Sequence, residues 1–207
     1  MSDPASTAPK VRAFIGVDLS TALRPHVADL LTRLQKGTHF TGARPLWVRP
    51  ESLHLTLKFL GEIDDPTRAR IVTALRPVAG RHAPHGVHAK GLGVFPSPRA
   101  PRVLWLGVRR AGALLALQAD IERTLVAIGF EPEDRPFSPH LTLARLKSHF
   151  RAQAFMDVIQ SHARWDLGPW AIGEFLLFQS TLHPSGPVYT ALHRFPLTAP
   201  PPEPRTH

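Results

Sequence analysis

Not one cysteine occurs in this chain of 207 residues, which excludes disulfides, thiolate metal sites and a cysteine nucleophile together. No apolar run approaches the roughly 20 residues of a membrane-spanning helix. The first ten residues, MSDPASTAPK, lack the charged-then-apolar order of a secretory signal. The expectation is a cytoplasmic protein with no membrane contact. No Gly-rich phosphate-binding loop is written anywhere, so a nucleotide cofactor such as ATP is not implied. Consecutive basic residues never run beyond Arg109-Arg110, so there is no basic tail.

What the chain does have is positive charge: 25 Lys and Arg against 16 Asp and Glu, a net +9 with neutral histidine. That balance suits a polyanionic partner, with an ordinary solvated basic surface as the alternative reading. Residues 1–10 and 198–207 are rich in Pro, Ala, Ser and Thr with almost nothing to bury, and are expected to be disordered tails. Residues 11–197 then form a single bilobal domain, a length that supports two closely packed halves around a sizeable core.

Hydrophobic spacing sets the expected elements. Strand-like runs occur at 11–17, 45–48, 54–61, 86–95, 102–108, 140–146, 174–182 and 188–195. Helical stripes carry Val27, Leu30, Leu31 and Leu34; Ile71, Val72 and Leu75 behind Asp65-Pro66; Leu114, Leu117, Ile121 and Leu125 before Gly129; and Phe155, Val158 and Ile159. The second half repeats the rhythm of the first. The expected fold is α+β, two similar lobes, each an antiparallel sheet backed by helices, pseudo-twofold about a central cleft.

His-Leu-Thr-Leu is written twice, at 54–57 and 140–143. A chance repeat of some tetrapeptide in a chain this long has odds of about one in ten, so position has to decide, and the copies fall at matching places in the two halves. Alternation on a strand puts His54 and Thr56 on one face and Leu55, Leu57 and Phe59 in the core; His140 and Thr142 separate likewise from Leu141 and Leu143. Two imidazoles facing one cleft suit paired proton transfer, one taking a proton from a nucleophile while the other gives one to a leaving oxygen. The threonine hydroxyls can donate to phosphate oxygens as charge builds there. Neither a metal nor another cofactor is needed.

With its flanks, the pair resembles the two-histidine phosphoesterases, specifically the RNA 2′,3′-cyclic phosphodiesterases also called 2′-5′ RNA ligases. The resemblance spans about residues 11–197 and rests on RAFIGVDL, WVRPESLHLTLKFLG, SPHLTLARL and LLFQSTLHPSGPVYTAL. It implies metal-independent hydrolysis of a terminal 2′,3′-cyclic phosphate to a 2′-phosphomonoester. His54 is then the proton donor to ribose O3′ and His140 activates water. Thr56 and Thr142 hold the phosphate, and Arg145 contacts phosphate or base. The implied partner is RNA with cyclic phosphate ends, tRNA fragments among them, with no obligatory protein partner. Strict alternation turns Arg145 away from His140 unless a strand end or bulge intervenes, and gives Lys58 the parity of His54.

Two other functions use the same residues: ATP-free 2′-5′ ligation, the reverse reaction, and recognition of RNA ends without chemistry. Binding alone needs no pair of titrating groups, which favours an enzyme. His82, His85 and His88 recur at intervals of three, a spacing that a strand splits between its faces, so they do not form a metal set. Trp47, Trp105, Trp165 and Trp170 sit among apolar neighbours and are expected in the core, with base stacking the alternative.

Overall fold

The computed structural model of the chain describes residues 9–37, 45–109, 111–146, 152–183 and 186–200. Of the tails expected at 1–10 and 198–207, residues 1–8 and 201–207 lie outside them, as do the turn residues Pro184 and Ser185. In chain order the elements are β1 (Val11–Asp18), α1 (Arg24–Gly37), β2 (Leu46–Trp47), β3 (His54–Ile63), α2 (Asp65–Arg81), β4 (His85–Phe95), β5 (Val103–Arg109), α3 (Gly112–Ala127), β6 (His140–Arg145), α4 (Ala152–Ser161), β7 (Asp166–Ile172), β8 (Glu174–His183) and β9 (Gly186–Pro196). None of the described helices is long and apolar enough to cross a membrane.

The α+β expectation is met, with every strand pairing antiparallel. The two expected sheets meet edge to edge as one, in the order β7-β4-β5-β6-β3-β1-β8-β9, with β2 added beside β6. One lobe is β3-β1-β8-β9 and the other β6-β5-β4-β7. The lobes are therefore not the two halves of the sequence. Strands β4 and β5 belong with β6, and the C-terminal hairpin β8–β9 returns to lie beside β1.

Apolar stripes on the helices dictate which face of the sheet is covered. Val27, Leu30, Leu31 and Leu34 of α1 and Leu114, Leu117, Ile121 and Leu125 of α3 are buried in one continuous core with Leu55, Leu57, Leu141 and Leu143. The cap of α2 is Asp64, one residue before the expected start, whose carboxylate accepts from Thr67 N at 2.9 Å. Gly129, at φ +99°, ends α3 as the sequence implies.

Strand β7 is not legible in the sequence because Gly168 and Pro169 interrupt its pattern. It survives as an edge strand, where a missing donor is tolerated, pairing with β4 on one side only.

Candidate active site

Each copy of the repeat reads Ser-x-His-Leu-Thr-Leu, and the serine has a structural use. Ser52 closes a short 3₁₀ turn begun by Pro50, and its carbonyl lies 2.9 Å from His54 Nδ1. The Ser138 carbonyl lies 2.7 Å from His140 Nδ1. A carbonyl oxygen only accepts, so Nδ1 carries the hydrogen in both rings and Nε2 is the open nitrogen. Arg24 steadies the first of these turns, donating to the Pro50 carbonyl at 3.1 Å and to Asp18 at 2.7 Å.

The lobes join where Leu55 of β3 pairs with Leu141 of β6. In an antiparallel ladder, one step either way sets His54 across from Thr142 and Thr56 across from His140. Both leucines are fully buried while the four polar residues stay partly exposed. The pseudo-twofold axis thus passes through a leucine pair, with two imidazoles and two hydroxyls on the opposite face.

Just beyond each Leu-Thr-Leu the ladder slips by one residue. On β3 the partners step from Gly16↔Thr56 to Ile15↔Lys58, and on β6 from Trp105↔Thr142 to Leu104↔Ala144. A bulge puts two successive side chains on one face. Leu57 with Lys58, and Leu143 with Ala144, accordingly turn inward together.

Three readings from strict alternation are corrected by these bulges. Lys58 does not share the face of His54: it is 2% exposed, with its ammonium 2.9 Å from Glu122 Oε1 and 2.8 Å from the Glu131 carbonyl. Phe59 is not in the core but 60% exposed. Arg145, which alternation turned away, is brought back to the face of His140 and Thr142. Its counterpart in the other lobe is Phe59.

Each imidazole also has an aromatic wall. His54 lies 4.6 Å from both Phe14 and Tyr189, ring centre to ring centre. His140 meets Phe95 edge-on at 5.1 Å, with Trp105 6.4 Å away. Burial among these rings is the main cause holding both imidazoles below the ordinary histidine pKa. Ser52 and Asp18 pull His54 upward, and Arg145 and His140 push it down; for His140, Ser138 pulls up and Arg145 pushes down. The Arg145 charge also reaches Tyr189, whose phenol burial raises.

The structure therefore gathers His54, Thr56, His140, Thr142 and Arg145 on one face. Trp170 is core and Trp47 and Trp165 pack against it, but Trp105 faces the site, a place that sequence reasoning missed along with Phe59 and Tyr189. Aligning HLTLKF with HLTLAR would have paired Phe59 with Arg145; nothing local marks Tyr189. His82 and His88 turn to Asp120 and Asp166, and His85 to its own loop at the Ala83 carbonyl. Among the described residues no three His, Asp or Glu side chains converge as metal ligands.

A family model described as LigT like phosphoesterase matches residues 22–105 and, a second time, 106–189. Each match contains one Ser-x-His-Leu-Thr-Leu. The chain is 37% identical over 188 residues to the RNA 2′,3′-cyclic phosphodiesterase of Methanothermobacter thermautotrophicus, covering 91% of this chain and all of that protein. Among solved structures it resembles TT0787 of Thermus thermophilus, with a TM-score of 0.71 and 28% identity over 91% of this chain and 98% of that one. It also resembles E. coli LigT complexed with 3′-AMP, at 0.69 and 25% over 92% and 99%.

Proposed function

The chain belongs to the LigT-like phosphoesterase family, and from that membership and its paired imidazoles we propose that it hydrolyses the 2′,3′-cyclic phosphate at an RNA end to a 2′-phosphomonoester. The observation that carries the reading is the Leu55–Leu141 pairing, which sets two His-Thr pairs around one point with both Nε2 atoms open. A cyclic phosphate at that point has an imidazole on either side of phosphorus.

The steps balance without a metal or a covalent intermediate. Neutral His140 takes a proton at Nε2 from water as the water oxygen bonds to phosphorus. The P–O3′ bond breaks, and protonated His54 gives its Nε2 proton to O3′. The 2′-phosphate and a free 3′-hydroxyl remain, and the histidines exchange protons with solvent to reset. Thr56, Thr142 and Arg145 donate to the non-bridging oxygens as negative charge grows there. Phe59, an exposed ring on the same face, offers a stacking surface for the nucleobase.

Its RNA ends are those left when a nuclease uses the 2′-hydroxyl as nucleophile, tRNA halves among them. The enzyme acts on them in the cytoplasm without an obligatory protein partner. The test is to incubate purified protein, in EDTA, with an oligoribonucleotide ending in a 2′,3′-cyclic phosphate and to locate the product phosphate. A 2′-phosphate is expected, and His54→Ala and His140→Ala should each slow its formation by about 10²- to 10⁴-fold. A 3′-phosphate product, or full dependence on an added divalent ion, would overturn the mechanism.

A further inference from the structure

Trp105 takes no part in the chemistry above, yet it is seated with unusual care. It lies opposite Gly93 on β4 and opposite Thr142 on β6. A methyl group added at Gly93 would fall 2.2, 2.3 and 2.8 Å from three indole carbons, and one at Gly107 would fall 3.3 Å from a fourth. These two glycines are what allow the indole to lie flat on the sheet, on the face that carries His140. Its Nε1 is buried without a hydrogen-bond partner, an unsatisfied group of the kind that persists where another constraint fixes the ring.

From this seat the contacts run toward the second motif. The indole packs on Phe95 at 5.2 Å, and the Phe95 and His140 rings meet in a T-shaped pair at 5.1 Å. On the other side, among the described residues, the imidazole is tied only at Nδ1, to the Ser138 carbonyl. A single hydrogen bond leaves rotation about that bond open; the aromatic wall closes it.

We propose that Trp105, seated on Gly93 and Gly107, is a positioning residue for His140. It braces Phe95 against the imidazole, fixes the ring plane so that Nε2 meets the phosphate, and keeps water from the apolar side of the ring. The inference rests on the reading of His140 as the base. One charged group acts on this ring, Arg145 from its own strand, and across the seam the ring itself lowers the pKa of His54. The β4 and β5 residues beside it, Gly93, Phe95, Trp105 and Gly107, do not titrate, and Arg109 lies beyond them at the end of β5.

Gly93→Ala tests this, because the new methyl tilts the indole without touching the reacting groups. With a 2′,3′-cyclic mononucleotide, kcat should fall on the order of ten- to a hundredfold, with KM changed by about twofold or less. By NMR the His140 titration midpoint should rise toward the ordinary histidine value while that of His54 stays. Trp105→Phe in the Gly93→Ala background should recover activity, since the smaller ring leaves room for the methyl. Gly86→Ala, on the same strand with nothing within 4 Å of the added methyl, should match wild type.

A wild-type kcat and His140 titration in folded Gly93→Ala would overturn the proposal, as would a kcat loss with the His140 titration unmoved. Should Gly93→Ala fail to fold, Trp105→Phe and Trp105→Leu read by the same titration decide it. If His140→Ala keeps full activity while Gly93→Ala still moves the titration, the positioning stands and the assignment of the base falls.

Discussion

Both imidazoles are held below the ordinary histidine pKa, first by burial, and the direction fixes the sign of the pH response. The proposed hydrolysis needs His54 protonated and His140 neutral. As pH rises through the lowered pKa of His54 the acid is lost, and as pH falls through that of His140 the base is lost. The kcat/KM profile, which reports the free enzyme, should therefore be a bell with its optimum on the acid side of about pH 6.5. The kcat profile should lie at higher pH, because a bound phosphate anion favours the imidazolium form. A kcat/KM optimum well above pH 8 would contradict this. Replacing both histidines should cost far less than the product of the single losses, as groups acting in one transition state behave. Phe59→Ala should weaken substrate binding by roughly 1–3 kcal/mol in KM if its ring stacks on a base, and Phe59→Trp should restore it; steady-state kinetics on a cyclic mononucleotide distinguish the two.

The bulge after each Leu-Thr-Leu is the element that turns a repeated strand into a site. It places Arg145 and Phe59 at equivalent positions on the two lobes, one cationic and one aromatic, so a pseudo-symmetric cleft acquires a cationic side and an aromatic side. On the inner side of the first bulge, Lys58 ties β3 to Glu122 of α3 and to the loop leading toward β6. Glu122 Oε1 also accepts from Glu133 N at 2.9 Å. Lys58→Ala should lower the unfolding free energy by about 3–5 kcal/mol, because it strands Glu122 as a largely buried charge. Replacing Lys58 by Met and Glu122 by Leu together should cost much less than the single change. Denaturant titration of both variants checks the pair.

Across the whole molecule, two lobes share one core and one curved sheet, and the cleft exists only because β3 and β6 meet edge to edge. The chain that forms it carries a net charge of +9. An oligoribonucleotide substrate should lose affinity as salt rises, with a logarithmic slope of about −0.7 per phosphate contacted on a single strand. A cyclic mononucleotide, with one phosphate, should respond far less. Equal slopes for the two substrates would show that the basic surface does not contact the RNA chain. The measurement is KM at several ionic strengths.

Local periodicity and residue chemistry were enough to read the amphipathic helices, the buried leucines of the two motifs and the shared face of His54 with Thr56 and of His140 with Thr142, while the reaction proposed for them came from the family resemblance. Everything that depends on which strand lies alongside had to wait for the fold. Lys58, Phe59 and Arg145 all face opposite to strict alternation because a bulge is a property of a pairing between strands. The membership of β4 and β5 in the second lobe, and of β8 and β9 in the first, follows from long-range pairing that no local pattern records. Trp105 reads as core in VLWLGV and lies beside His140 only because glycines occupy positions 93 and 107, the first on a neighbouring strand and the second two residues on. An aromatic side chain is core or site according to what stands beneath it, and the fold supplies that.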